Sequence, residues 1–257
     1  EEQGTTRLCA RLRQGGALSA DTASAKIISG SGSAGVFRLG GVLDVTHAFA
    51  ALGNTLGVRW QLGLATQDID ILASPVLAVA IGRIKTDLPA TLHSLNRGFI
   101  PVPGLDPRRP ETPFSVRGKT LRVDLLTPAR GKRDGKPAHI PRLKACALPL
   151  EFLDYLLDAP IDIPVINGSA TLVKTPDPAR FALHNLLVST NRPVMLQTKS
   201  AKDRQQAAQV LLQDRPGDIE LAMQNLLSPG LGWRKRIKEG AARLPDSHAA
   251  VKRHLLS

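Results

Sequence analysis

The segment Asp68-Ile69-Asp70-Ile71-Leu72 alternates carboxylates with branched aliphatic side chains. A period of two belongs to a β-strand, in which successive side chains point to opposite faces, so Ile69 and Ile71 share one face and Asp68 and Asp70 the other. The pattern returns in Leu121-Arg122-Val123-Asp124-Leu125, where Asp124 lies opposite the apolar face. If the two strands are neighbours, three carboxylates converge, and converging like charges are unfavourable unless a cation neutralises them. Hard divalent ions such as Mg²⁺ prefer oxygen ligands, and a pair of them can hold the attacking and leaving oxygens of a phosphoryl displacement. Taken alone, Asp68 and Asp70 read as a charged strand edge that resists aggregation. Asp124 is what favours the metal reading.

The rest of the chain punctuates itself with glycine and proline. Residues 1–35 read as a helical segment, with Leu8, Leu12 and Leu18 among arginines, closing in a Gly/Ser stretch. Gly30, Gly32 and Gly35 there spell G-x-G-x-x-G, but a dinucleotide fold needs a strand before the glycines and a helix after them. Neither is evident, so these glycines read as a flexible turn. Thr46 is the expected N-cap of a short helix that ends at glycine. Leu77 to Asn96 reads as helix interrupted near Pro89, and a proline-rich loop follows that is long enough to act as a lid or substrate loop. A hairpin turning at Arg117-Gly118-Lys119 leads into the Asp124 strand. Next come a basic loop (Arg130, Lys132, Arg133, Lys136, Arg142, Lys144), a short amphipathic helix, and a hairpin turning at Asn167-Gly168. From Pro178 the pattern is helical, with a basic tail. Two prolines close together at Pro176 and Pro178 mark a boundary near 175, so the expected domains are 1–35, 36–175 and 176–257.

Composition narrows the class. The chain has 257 residues, with 34 Lys+Arg against 22 Asp+Glu and a net charge of +12. Such a field favours polyanions, nucleic acid foremost. Aromatic residues make up only 4% of the chain, which argues against a long stacking platform for single strands. Trp233 beside Arg234, Lys235 and Arg236 could still stack on a base. Cys9 and Cys146 form no Cys-x-x-Cys and the histidines do not cluster, so neither a disulfide scaffold nor a structural zinc is expected, and the simplest setting is the reducing cytoplasm. The longest apolar run, from Pro75 to Gly82, is far short of the roughly 20 residues that span a bilayer, and no signal-peptide pattern opens the sequence. No membrane partner is expected. His47 and His184 have apolar neighbours and read as packed histidines rather than general bases.

Several separated blocks, "GVFRLGGVL" with "THAF", "TQDID", "GFIPVPGL", "LRVDLLTP" and "PDPARFALHNLLVS", resemble a bacterial family of nucleotidyltransferases in the DNA polymerase β-like superfamily. The resemblance covers most of the chain. It implies an α+β fold, with a polymerase β-like core of mixed sheet flanked by helices, followed by a C-terminal helical domain. It also implies transfer of a nucleoside monophosphate from an NTP to an acceptor hydroxyl, using two Mg²⁺ ions, with Mn²⁺ as the alternative. Asp68 and Asp70 match the metal-binding Asp-x-Asp. Asp124 matches the third carboxylate, which helps deprotonate the acceptor. Thr46 matches a residue of the phosphate-cradling turn, and Lys199 and Lys202 are the candidate phosphate cations, with Asp203 available to orient a lysine. The charge balance favours RNA as acceptor, with a tRNA end as one form of it. Analogy to toxin members of the superfamily suggests a toxin role and an antitoxin partner.

The chain departs from the family pattern at two places. Val45, with Asp44 beside it, stands where the turn usually carries glycine, and Asn185 stands where a lysine commonly follows the histidine. Two other classes therefore stay open: a transferase acting on a protein or on a small molecule such as an antibiotic, and a catalytically silent binding protein that keeps the fold.

Overall fold

A computed structural model of the chain describes residues 2–60, 68–75, 86–95, 99–101, 113–116, 121–129, 136–225 and 231–256. The chain divides into two compact units, Glu1–Pro176 and Asp177–Ser257.

The first unit is built on a mixed sheet. Strand β1 (Val42–Leu43) pairs antiparallel with β2 (Asp68–Leu72). Strand β3 (Phe99–Pro101) pairs antiparallel with β4 (Pro113–Val116), and β4 antiparallel with β5 (Arg122–Pro128). The two acid-bearing strands are direct neighbours: β2 and β5 run parallel, with Ile69 beside Val123 and Ile71 beside Leu125, all four buried. This register keeps the two alternations in phase, whereas a one-residue slip would turn one strand's branched side chains to the opposite face. The other edge of β5 is shared: β4 pairs with residues 122–124 and β7 (Ala145–Leu150) runs parallel to residues 126–128. Strand β6 (Ala138–Ile140) completes the sheet beside β7. Strands β8 (Ile161–Asn167) and β9 (Ser169–Thr175) form a separate hairpin whose turn, Gly168 at φ +66°, falls where the Asn-Gly pair predicts.

Helices α1 (Glu2–Gln14), α2 (Thr22–Ser33), α3 (Val45–Leu56), α4 (Leu88–Ser94) and α5 (Leu153–Leu157) belong to this unit. Three expectations need correction here. Gly30 and Gly32 are not a flexible turn but lie inside α2, which is capped by Asp21 accepting from the Ala23 and Ser24 amides. Their lack of a side chain serves close packing: a Cβ on Gly30 would come 2.8 Å from Leu95 Cδ2, and one on Gly32 2.7 Å from Thr171 Cγ2. Thr46 is not the N-cap of α3. That position falls to Asp44, whose backbone is still extended from β1, and Thr46 is buried in the first turn. The basic loop is shorter than expected, because residues 138–150 form the β6–β7 hairpin and Lys144 pairs with Asp87 at 3.3 Å in its turn region. Arg130, Lys132 and Arg133, half of the Leu77–Asn96 segment and most of the proline-rich loop lie outside the described residues. So do Thr66, Gln67 and the 117–120 turn.

The same sheet face changes character along its length. Leu72 and Leu126 continue the Asp rows of β2 and β5, and they pack with Val42 and with Leu153 and Leu156 of α5 into a buried apolar cluster. The helix therefore covers one end of the face and stops short of the aspartates.

The second unit contains α6 (Pro178–Ser189), α7 (Gln197–Leu211), α8 (Pro216–Asn225), α9 (Leu231–Ala242) and α10 (Ala249–Leu256). Helix α6 is buried along most of its length, with Phe181, Leu183, Leu186 and Leu187 in the core. The expected basic tail is helix α9. Its Ile237 is fully buried, and a Cβ on Gly240 would lie 2.6 Å from the Leu186 carbonyl oxygen, so this stretch packs against α6. Among the described residues, no helix is long and apolar enough to cross a membrane.

Candidate active site

Parallel pairing sets Asp70 directly beside Asp124, and Asp68 beside Arg122. The β1–β2 register, Val42 with Leu72 and Leu43 with Ile71, is extended by one residue when the Asp44 amide donates to the Asp70 carbonyl at 3.0 Å. Asp44, Asp70 and Asp124 thus form one row across three adjacent strands, and Asp68 stands one step away on the same face. Asp44 was missed as a member of this group. Its signal was the alternation continuing past β1, where Val42 and Asp44 share a face as Asp70 and Leu72 do.

The electrostatics follow from that row. Burial, then the neighbouring Asp44, Asp124 and Asp68 carboxylates, push the Asp70 pKa up to about 7, and Arg122 only partly opposes them. Arg122 instead serves Asp124 directly, its Nε donating to Oδ1 at 2.6 Å. Among the described residues, no three His, Cys, Asp or Glu side chains are gathered into a ready-made metal set. The donor chemistry fits a hard divalent cation: several carboxylates on one sheet face, carrying one raised pKa that a bound cation would lower.

The turn entering α3 is the second notable feature. Val45 has φ +55°, a left-handed conformation that a β-branched residue rarely adopts. Asp44, the N-cap residue by position, makes no side-chain cap bond. A strained residue of this kind costs on the order of 1–3 kcal/mol and persists only where the surrounding structure over-determines it. Here the surrounding structure consists of β1, fixed by β2 on one side, and α3, fixed by Phe49 and Leu52, which are completely buried.

The structure sets Asp70 beside Asp124 and places Asp68 two residues before Asp70 on the same strand, level with Arg122, with Thr46 two residues beyond Asp44. Lys199 and Lys202 lie on α7 in the other unit, and both act electrostatically on Asp203. The Asp203 carboxylate accepts from Arg192 Nε. His184 is buried, and its imidazole is kept neutral, with the pKa pushed down to about 3 by burial and by Arg192. Such burial argues against a general-base role, which needs contact with the proton to be taken.

A family model described as nucleotidyltransferase matches residues 22–228 of the chain. No curated protein and no solved structure matches it significantly.

Proposed function

This chain belongs to the nucleotidyltransferase family, and from that premise we propose that it moves a nucleoside monophosphate from an NTP onto an acceptor hydroxyl in a metal-dependent reaction. The observation that carries this reading is the side-by-side placement of Asp70 and Asp124 on adjacent strands, flanked by Asp68 and Asp44. Asp68, Asp70 and Asp124 would hold Mg²⁺ or Mn²⁺. The bound ions would supply charge neutralisation at the transferring phosphorus and acidify the acceptor hydroxyl.

The chain's own residues do the rest. Asp124, oriented by Arg122, accepts the acceptor hydroxyl proton as the new P–O bond forms. The α–β phosphoanhydride bond breaks, pyrophosphate leaves with the electron pair, and the proton passes on to solvent. Amides at the start of α3, around Thr46, meet phosphate oxygens. Lys199 and Lys202 meet phosphate in the helical unit. Positioning and charge, rather than covalent catalysis, supply the rate. The excess of basic residues supports RNA as acceptor, with a tRNA end and a toxin role, countered by an antitoxin protein, as the form suggested by analogy.

A second reading, a silent binding protein, is favoured by Asp44: a buried carboxylate at the mouth of the phosphate turn repels a triphosphate. One experiment separates the two. Labelled NTPs, Mg²⁺ and total RNA are incubated with wild-type protein and with Asp68→Asn. Label transferred to RNA by the wild type alone supports the first reading, and transfer to protein without RNA redirects the acceptor. NTP binding without transfer to any acceptor leaves the silent reading.

A further inference from the structure

Helix α1 is attached to the first unit by little of its own surface. It packs against β9, yet Cys9, at 2% exposure, is the one buried side chain among its described residues. The chain just beyond its C-terminal end is pinned more firmly. Arg59 Nη2 donates to the Gly15 carbonyl at 2.5 Å, and the Asn54 side chain in the last turn of α3 accepts from the Leu18 amide at 2.7 Å and donates to the Leu18 carbonyl at 2.8 Å. The helix is therefore held in one place with most of its circumference facing solvent.

Two rows run along that circumference. Leu8 and Leu12, four residues apart, are 59% and 52% exposed. Arg7 and Arg11, also four apart and exposed, form a second row one residue away, so the two rows lie side by side along the helix.

Both rows cost the isolated protein something. A helix of 13 residues is marginal in water and draws its stability from burying an apolar stripe, and this one leaves its leucines wet. Arginines at i and i+4 repel each other. The helix dipole favours Arg11 in the last turn but does nothing for Arg7 at mid-helix. A surface that supplies what the helix lacks must bring apolar side chains to one row and negative charge to the adjoining one.

Chemistry separates the candidate occupants. An RNA backbone would neutralise the arginines and leave the leucines in water. A second copy would bring a chain of net charge +12 against another of the same sign. A lipid surface requires more apolar depth than two leucines supply on a helix with no aromatic residue. An acidic amphipathic helix of another protein satisfies both rows at once, through leucine contacts along one stripe and carboxylate–guanidinium pairs along the next.

We propose that the Leu8–Leu12 and Arg7–Arg11 rows of α1 form a docking surface for an acidic amphipathic helix of a partner protein. The surface uses none of the residues assigned to nucleotide transfer and stands independently of that reading.

The test titrates the full chain, by fluorescence anisotropy at physiological ionic strength, with a synthetic helical peptide of Leu, Glu and Ala whose leucines and glutamates occupy two adjoining stripes. Comparison peptides carry the same composition in scrambled order, or lysine in place of glutamate. Wild type binds the patterned peptide at least about tenfold more tightly than the scrambled one, and hydrogen exchange over residues 2–14 slows in the complex. Leu8→Ser/Leu12→Ser and Arg7→Gln/Arg11→Gln each weaken binding by about tenfold, the scale of two lost leucine contacts or two lost ion pairs. Arg7→Glu/Arg11→Glu guards against a variant that only unravels α1: it binds the lysine peptide more tightly than wild type does, a gain that a damaged helix cannot produce. Absence of binding by the wild type, equal binding of the scrambled peptide, unchanged exchange in α1, undiminished affinity in either neutralised double variant, or no gain for the lysine peptide overturns the proposal. Self-association lost in Leu8→Ser/Leu12→Ser assigns the face to a second copy and overturns it too. So does binding to an RNA oligonucleotide or to phosphatidylglycerol vesicles that is lost in both neutralised variants. Label transfer to RNA is measured without peptide. A protein that transfers nothing yet binds the peptide through both rows removes the transferase reading alone, and one that transfers label but ignores the peptide removes this inference alone.

Discussion

Asp70 and Asp124 are register partners across the parallel β2–β5 pair, and burial together with the surrounding carboxylates lifts the Asp70 pKa to about 7. A carboxyl group with that pKa binds its proton more tightly in the folded chain than in the unfolded one. The row is therefore a place where charge is stored at a cost to stability.

The pH dependence has a definite sign. With a folded pKa near 7 against an ordinary value of 3.8, the stabilising contribution of protonated Asp70 is complete below about pH 3.8 and is lost as pH rises through 7. Asp70→Asn, neutral throughout, is expected to melt higher than wild type at pH 8, by an amount on the order of 2 kcal/mol, and to lose this advantage near pH 4. Thermal melting from pH 4 to 8 checks it. A wild-type stability that does not fall between pH 4 and 8 relative to Asp70→Asn contradicts the buried-row account.

Divalent cation addresses the same charge. At pH 8, millimolar Mg²⁺ or Mn²⁺ raises the wild-type melting temperature by several degrees, through mass action on the folded state. Near pH 6, binding is accompanied by proton release, visible as a dependence of calorimetric heat on the buffer. Both effects disappear in Asp70→Asn. An equal metal response in that variant places the ion elsewhere.

The turn before α3 makes a prediction about strain. Val45 at φ +55° occupies a conformation natural to glycine, so Val45→Gly is expected to be neutral or stabilising by up to about 1 kcal/mol, although glycine adds entropy to the unfolded chain. Val45→Ile gains nothing, since it stays β-branched. Denaturant unfolding of the two variants distinguishes them. If the turn also meets phosphate, Val45→Gly binds NTP more tightly as well.

Gly53 anchors α3 through a contact that tolerates no side chain. A Cβ there would lie 2.3 Å from Trp60 Nε1, and that indole donates to the Phe49 carbonyl at 2.6 Å while stacking on the Phe49 ring at 4.6 Å. Gly53→Ala must displace the indole, despite its better helix propensity. A loss of about 1–3 kcal/mol, typical of an overpacked core, is expected together with a shifted tryptophan emission. Unchanged emission and stability would contradict the close Gly53–Trp60 contact.

Local pattern determined a good part of this protein. The alternation in Asp68–Leu72 and Arg122–Pro128 settled two strands and which face of each is apolar, because side-chain direction in a strand follows from backbone geometry alone. Asn167-Gly168 announced its turn for the same kind of reason, and the family resemblance, borne out by the match over residues 22–228, followed from motifs legible in single segments. Tertiary structure decided the rest. Gly30 and Gly32 look like turn residues until Leu95 and Thr171 press against them, and Thr46 looks like a cap until β1 extends Asp44 to the helix start. Asp44 joined the acidic row only because β1 pairs with β2, and Arg192 found Asp203 only because α6 and α7 pack together. Such groupings depend on which elements become neighbours. Neighbour choice is set by burial summed over the whole chain, a quantity that no single stretch of sequence contains.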